Sequence, residues 1–237
     1  MTAQLYALPD WSDWTALSNW LANRLDALRG ETARDLAHQA DSVFCIAGED
    51  VAASCASSPF GRYAASAWRS FASAIFCADL GCYDTAADQV NFERLLFVLH
   101  AYCEGFRLWA LNDAHGGLLP VGYSSFYPIA EATFAQLERA DPSLANRLIA
   151  PVATQPGERP FVYLFNYSIV APLRRTTASR RLIHGMLSDL QRHAPRGLAT
   201  ITVSADGVRV ASRCGMKQTG RVDFAGLSEA VLTARYG

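Results

Sequence analysis

The sequence is short of lysine, of net charge and of long apolar runs, and each shortage excludes a class of function. Lysine occurs once against twenty arginines, and 21 basic residues nearly balance 22 acidic ones, for a net charge of −1. This balance gives no electrostatic reason to expect nucleic acid or an acidic membrane surface as a partner. No apolar run reaches the roughly eighteen to twenty residues that cross a bilayer, and the N-terminus lacks a basic segment and an apolar signal core. We therefore expect a cytoplasmic protein that binds neither nucleic acid nor membranes.

The six cysteines are spread along the chain, mostly beside apolar residues. This distribution is typical of reduced core cysteines rather than of a disulfide scaffold. Cys77, Cys82, His100 and Cys103 have metal-ligand residue types, and His100 and Cys103 would share one helix face. The loose spacing of the first pair and the apolar surroundings favour structural cysteines. We therefore expect no metal.

What the sequence does contain is enough apolar material for a large core: 51% of its 237 residues are hydrophobic, which suits one large domain or two small ones. Apolar residues at helical spacing predict a mainly helical N-terminal region over residues 1–104. Residues 105–237 alternate predicted strands and helices, with an insertion at about 130–160 that contains a helix. The predicted fold class is therefore α/β, with a mixed, partly antiparallel sheet. The helical region either forms a small domain or packs on the second region as a substrate wall.

The stretch from Phe161 to Met216 forms the centre of the second region, residues 105–237. A β-branched and aromatic run over 161–170 predicts a strand, an apolar stripe over 182–190 predicts an amphipathic helix, and 198–204 predicts a second strand. Two strands joined by one helix form a right-handed unit with parallel strands. The helix then begins directly beyond the end of a strand, where free N–H groups and a partial positive charge favour an anion.

Basic and hydroxyl side chains crowd the predicted start of this helix. They are Arg174, Arg175, Thr176, Thr177, Ser179 and Arg180. Guanidinium and hydroxyl groups around a helix N-terminus suit a phosphate or a pyrophosphate. The alternative is a solvated basic turn in which Thr177 or Ser179 merely caps the helix. The residue types alone leave both interpretations open.

The order Val170-x-Pro172-x-Arg174-x-x-Thr177-x-Ser179 resembles the acetyl-CoA-binding motif of the GNAT N-acetyltransferase superfamily. Downstream, 213–220 is similar to the closing signature of the superfamily, and upstream, 107–123 is similar to its second and third strands. The resemblance covers roughly residues 105–237. It implies a GNAT-like fold with an enlarged helical N-terminal region, and acetyl-CoA or another acyl-CoA as co-substrate. It further implies an acyl-CoA-dependent N-acyltransferase whose acceptor is the amine of a small molecule or peptide.

The sequence departs from the motif at three informative positions. Thr177 and Ser179 replace the two glycines of the phosphate loop, so the backbone approaches a phosphate less closely. The tyrosine that often protonates the leaving thiolate falls at Ala211. These departures favour an alternative function, a catalytically degenerate GNAT-like protein that binds acyl-CoA or acts as a scaffold. The oligomeric state is left open, with a homodimer among the alternatives.

The resemblance also carries over a set of site residues by position. A bulge that supplies a backbone N–H to the thioester oxygen is expected in the region of Ser168–Val170. Alternation along the strand predicts that Tyr163 and Tyr167 share one face and that Asn166 points to the other. The candidate catalytic residues are Tyr167, Ser204 and Tyr123. The candidate cofactor-binding residues are Ser168, Ile169, Val170, Arg174, Arg175, Thr176, Thr177, Ala178, Ser179 and Arg180. For each tyrosine, a packed aromatic ring with a satisfied hydroxyl is the alternative.

Overall fold

The fold is built around one seven-stranded sheet. The structure, a computed structural model, describes residues 14–56, 61–83, 89–112, 117–144, 149–155, 157–224 and 226–237. Its strands are β1 Phe44–Ala47, β2 Phe106–Asn112, β3 Leu118–Ile129, β4 Phe161–Ile169, β5 Gly197–Thr202, β6 Lys217–Phe224 and β7 Leu227–Arg235. They lie in the order β1-β2-β3-β4-β5-β7-β6. Strands β4 and β5 pair in parallel, and the other neighbouring pairs are antiparallel. The predicted α/β class with a mixed sheet is confirmed.

Helices cover both faces of this sheet. They are α1 Trp14–Gly30, α2 Ala33–Ser42, α3 Gly48–Ala56, α4 Gly61–Cys82, α5 Phe92–Ala101, α6 Glu131–Glu138, α7 Thr177–His193 and α8 Ala205–Arg213. Helices α4 and α5 pack on one face through Phe71 and Leu95, and we name it the α4 face. Helices α7 and α8 pack on the opposite face through Met186 and Ala211, and we name it the α7 face. No helix in the described ranges is both long and apolar enough to span a bilayer.

The predicted helical region also contributes to the sheet. Strand β1 pairs antiparallel with β2, with Phe44 opposite Ala110. Helix α1 presents a leucine stripe that packs around Val170 and Leu173, at the end of β4; its members are Leu17, Leu21, Leu25 and Leu28. Helices α1 and α2 therefore lie beside the predicted phosphate loop. The division of the chain at residue 104 stays a prediction.

The insertion at about 130–160 begins with α6. Phe134 of this helix stacks on Phe161, with ring centroids 4.3 Å apart. Glu138 accepts two hydrogen bonds from the Arg235 guanidinium, each of 2.7 Å. The insertion is thereby fixed against the β5 and β7 side of the sheet. Residues 145–148 and residue 156 of the insertion lie outside the described residues.

Strands β4 and β5 separate after three residue pairs. The last of these pairs joins Tyr163 to Ala199, although β4 continues to Ile169 and β5 continues to Thr202. The register between β3 and β4 shifts at Phe165, because Leu164 lies opposite Phe126 and Asn166 lies opposite Ser125. A bulge of this kind bends its strand and increases the local twist. The bulge therefore accompanies an opening between β4 and β5, and its predicted position in 168–170 was wrong.

Candidate functional site

The chain reaches α7 through a tight turn whose amides are left free. A 3₁₀ turn at Ala171–Leu173 follows β4, and Arg175 then adopts a left-handed backbone with φ of +64°. Arg174 N donates to the Ala171 carbonyl and Arg180 N donates to the Thr176 carbonyl. In the described ranges, the amides of 175–179 have no protein acceptor. Consecutive free N–H groups at a helix start, where the helix dipole is positive, form a site for an anion.

Two guanidinium groups at this helix start are uncompensated. Arg175 and Arg180 form neither an ion pair nor a hydrogen bond with another side chain or carbonyl of the described part of the chain. They line a cavity of about 340 Å³ together with Thr176 and Thr177, and α2 forms its other wall. The cavity therefore combines positive charge, hydroxyl groups and free amides at one point.

Other predicted phosphate ligands hold the turn itself. Arg174 Nε donates to the Ile169 carbonyl at 3.2 Å, and Arg174 Nη2 donates to the Cys82 carbonyl at 2.9 Å. Thr176 Oγ1 donates to the Leu173 carbonyl at 2.6 Å, and Ser179 Oγ donates to the Thr176 carbonyl at 2.9 Å. Arg174 thus joins the end of β4 to the end of α4. Of the predicted phosphate ligands, Arg175, Thr176, Thr177 and Arg180 line the cavity.

Tyr167 extends from β4 across the opening to the start of α8. Its hydroxyl donates to the Gly207 carbonyl at 3.0 Å. Burial raises the pKa of Tyr167 to about 12, so the hydroxyl keeps its proton at neutral pH. Tyr167 packs on the α7 face, whereas Tyr163 packs on the α4 face. The prediction that the two tyrosines share a face was wrong, because the bulge at Phe165 inverts the alternation along β4.

A second hydrogen bond also crosses the opening. Thr200 Oγ1 on β5 donates to the Leu164 carbonyl on β4 at 3.0 Å. This carbonyl lies one residue beyond the last paired position of β4. A threonine side chain therefore replaces the ladder hydrogen bond that the separation of the strands removes.

The other two candidate catalytic residues lie apart from each other. Ser204 is the N-cap of α8, and its Oγ accepts a hydrogen bond from Gly207 N at 3.0 Å. Tyr123 is fully buried on the α4 face, where its hydroxyl donates to Asp79 Oδ1 at 2.7 Å. Ser204 and the Tyr167 hydroxyl thus both bond to Gly207 in the first turn of α8, while Tyr123 lies on the other face of the sheet. Ala211, the position of the absent tyrosine, is fully buried on the inner side of α8.

Sequence reasoning missed Asp79, a buried carboxylate on α4. It accepts hydrogen bonds from the Tyr123 hydroxyl at 2.7 Å, from Val90 N at 2.7 Å and from Asn166 Nδ2 at 3.3 Å. Burial raises its pKa to about 6, and the hydrogen bonds only partly oppose this rise. The one signal in the sequence was a single charge within the apolar stretch 71–82. No group of three or more histidine, cysteine or acidic residues in the described ranges is arranged to hold a metal.

The comparisons with known proteins give matches among solved structures. Arabidopsis thaliana Naa50, solved with a bisubstrate analogue, is 11% identical with a TM-score of 0.48, over 82% of this chain and 99% of that one. A Desulfovibrio desulfuricans protein assigned to the GNAT family is 12% identical with a TM-score of 0.43, over 69% and 91%. A mosquito arylalkylamine N-acetyltransferase-like protein is 10% identical with a TM-score of 0.42, over 67% and 87%. No protein-family model and no curated protein matches the chain. The similarity to these three proteins is one of fold alone.

Proposed function

We propose that this chain is a GNAT-superfamily enzyme that transfers an acetyl or other acyl group from coenzyme A to the amine of a small molecule or peptide. The observation that carries the proposal is the anion site at the start of α7, beside the opening between β4 and β5, where Arg175 and Arg180 form no ion pair within the described part of the chain. A diphosphate bound by Arg175, Arg180 and the free amides would direct the rest of acyl-CoA towards that opening. The predicted ligands Ser168, Ile169 and Val170 would line the same end of β4.

The reaction forms a C–N bond and breaks the C–S bond of the thioester. The amine attacks the thioester carbonyl and gives its proton to water, and the intermediate then expels coenzyme A as a thiolate. The carbonyl oxygen becomes negative in the transition state and needs fixed hydrogen-bond donors. We assign this donor to the backbone at the Phe165 bulge, because a bulge leaves its extra residue unpaired in the ladder. We assign the acid that protonates the thiolate to Tyr167, which is neutral and lies at the opening.

Acyl-CoA binding without turnover is a second candidate function, and a specific observation favours it. The Tyr167 hydroxyl and the Thr200 hydroxyl both form hydrogen bonds across the opening. An acyl chain that passed between β4 and β5 would have to displace these contacts. A protein that bound coenzyme A only through its diphosphate would leave them intact.

Calorimetric titration with acetyl-CoA tests the shared premise of both candidates. We expect micromolar binding by the wild type, and at least tenfold weaker binding by the double variant Arg175→Ala, Arg180→Ala. A tenfold loss corresponds to about 1.4 kcal/mol. Two charge-assisted contacts contribute more than this, so the threshold is a low one. The matched control removes two exposed arginines elsewhere, Arg69→Ala and Arg139→Ala, and should bind as the wild type does. A folded wild-type protein that binds no acetyl-CoA would remove the cofactor assignment.

Thiol release in the presence of an amine panel separates the two candidates. Transfer is shown if acetyl-CoA loses its acyl group only when an amine is present. We then expect Tyr167→Phe to lower kcat by about a hundredfold while the KM for acetyl-CoA changes little, because a general acid acts in the transition state. Tight binding without thiol release from any amine would favour the binding protein instead.

A further inference from the structure

Helix α2 brings a carboxylate to the start of α7. Asp41 lies in the last turn of α2, and its Oδ1 accepts a hydrogen bond from Thr177 Oγ1 at 2.7 Å. The Asp41 carbonyl accepts a second hydrogen bond from Arg181 Nη1 at 3.1 Å. Side chain and main chain of one residue thus fix the end of α2 against the first turns of α7. The motif resemblance, which begins at about residue 105, does not include this contact.

The Asp41 carboxylate shares a cavity with the groups proposed to bind phosphate. The cavity of about 340 Å³ is lined by Ala33, Leu36, Ala37, Asp41, Arg175, Thr176, Thr177 and Arg180. Although Asp41 lies in this basic cavity, it forms no ion pair with Arg175 or Arg180. Its hydrogen-bond donor is the neutral hydroxyl of Thr177. The arginines stay available to a ligand, and a fixed negative charge stands beside that ligand's position.

We propose that Asp41 lowers the affinity of the site at the start of α7 for phosphate groups. The inference rests on the proposed function, since it concerns the same phosphate site. Like charges a few ångströms apart near a protein surface repel one another, and salt screens the repulsion. A small anion gains only the phosphate contacts, which this repulsion offsets. Acyl-CoA can add contacts with the apolar wall of α2 and with the opening, so it can bind despite a repulsion that acts on it and on a small anion alike.

The substitution Asp41→Asn isolates the charge, because an asparagine keeps the oxygen that accepts the Thr177 hydroxyl. We expect this variant to bind both acetyl-CoA and inorganic pyrophosphate about five to ten times more tightly than the wild type at low ionic strength. The gain should shrink in about 0.5 M salt. The matched control is Asp35→Asn, which removes an exposed charge from the same helix but outside the cavity. It should leave both affinities within about twofold of the wild type.

The outcomes separate this inference from the proposed function. If the wild type binds acetyl-CoA and Asp41→Asn binds it equally well or more weakly, Asp41 only positions Thr177 and the inference fails, while the proposed function stands. If neither protein binds acetyl-CoA or pyrophosphate, both fail. Binding that becomes measurable only in Asp41→Asn supports the inference. Thermal unfolding of every variant shows whether each one is folded at the titration temperature.

Discussion

Asp79 places a carboxylate in the apolar layer between α4 and the sheet. Its three hydrogen-bond donors are neutral, and no ion pair with it occurs in the described part of the chain. Burial without a cation disfavours the charged form, and this effect outweighs the hydrogen bonds that stabilise it. The fold therefore binds a proton at Asp79 more tightly than the unfolded chain does.

Loss of this proton lowers the free energy of unfolding as the pH rises. The pKa of Asp79 is raised from the ordinary aspartate value of 3.8 to about 6 in the fold. Below about pH 4 the carboxyl is protonated in both states, and between about pH 4 and about pH 6 the folded state holds more protons than the unfolded one. The free energy of unfolding should therefore lose up to about 3 kcal/mol from this group between about pH 4 and about pH 7, at about 1.4 kcal/mol per pKa unit.

Urea unfolding of the wild type and Asp79→Asn at several pH values measures this contribution. We expect the difference in unfolding free energy between the two proteins to shift in favour of the variant as the pH rises from about 4 to about 7. The control Asp223→Asn, at an exposed position, should follow the wild type throughout. Parallel pH profiles for the wild type and Asp79→Asn would contradict the prediction, because they would show that the pKa of Asp79 is the same in the folded and the unfolded chain.

The residue types at the start of α7 were predictable from the sequence, but their partners were not. The motif order assigned Arg174 to the phosphate, whereas the fold directs it to the carbonyls of Ile169 and Cys82. Cys82 is 92 positions away along the chain, so no local pattern could indicate this contact. The contact between Asp41 and Thr177 could not be predicted from the sequence either, because these residues are also far apart along the chain. A motif gives the groups that can bind an anion, and tertiary structure decides which of them stay free.

At the scale of secondary-structure elements, a buried ion pair joins β2 to α7. Arg107 Nε donates to Asp189 Oδ2 at 2.6 Å, and Arg107 Nη2 donates to Asp189 Oδ1 at 2.9 Å. The two side chains are 10% and 5% exposed. Glu49 and Arg192 form further ion pairs at its edge. The pair thereby fixes α7, the helix that carries the anion site, against β2, which β3 and β4 separate from β5 in the sheet.

Removing the acid of this pair should destabilise the fold strongly. Asp189→Ala leaves the Arg107 guanidinium buried with only the partly exposed Glu49 as a partner. We expect a loss of about 3 to 5 kcal/mol in the free energy of unfolding, because the buried guanidinium loses its buried partner and keeps only the partly exposed one. The matched control is Asp206→Ala, which breaks the exposed pair with Arg209 and should cost less than about 1 kcal/mol. Equal losses in the two variants would contradict this prediction, because the buried pair would then contribute no more stability than the exposed pair.

The sequence predicted most elements of the second region but not the faces of β4. The strand, the helix and the next strand over 161–204 are confirmed as β4, α7 and β5. Phe165 belongs to an aromatic and β-branched run that predicts an ordinary strand, so nothing in the sequence marks it as an extra residue in the ladder. The bulge depends on the pairing of β4 with β3, where Asn166 lies opposite Ser125. This one residue inverted the predicted orientation of Tyr167 relative to Tyr163.

At the scale of the whole molecule, the core crosses the predicted boundary at residue 104. Phe71 and Ile75 of α4 belong to the same buried cluster as Tyr123 and Tyr127 of β3. Asp79 of α4 accepts a hydrogen bond from Tyr123. The α4 face of the sheet is thus covered by helices that come from the N-terminal region. Composition and periodicity predicted those helices, but they could not show which surface the helices would cover.

Residues 105–237 should therefore fail to fold when they are produced without residues 1–104. Burial of each large apolar side chain stabilises a fold by about 1.5–3 kcal/mol, and α4 and α5 bury Phe71, Ile75, Leu95 and Leu99 fully or almost fully. Their combined contribution is comparable to the roughly 5–15 kcal/mol net stability that is typical of a domain. We expect the shortened chain to be insoluble or to lack a cooperative thermal transition, and co-expression with residues 1–104 to restore a soluble complex. Cooperative unfolding of residues 105–237 alone, near the melting temperature of the full chain, would instead establish two independent domains.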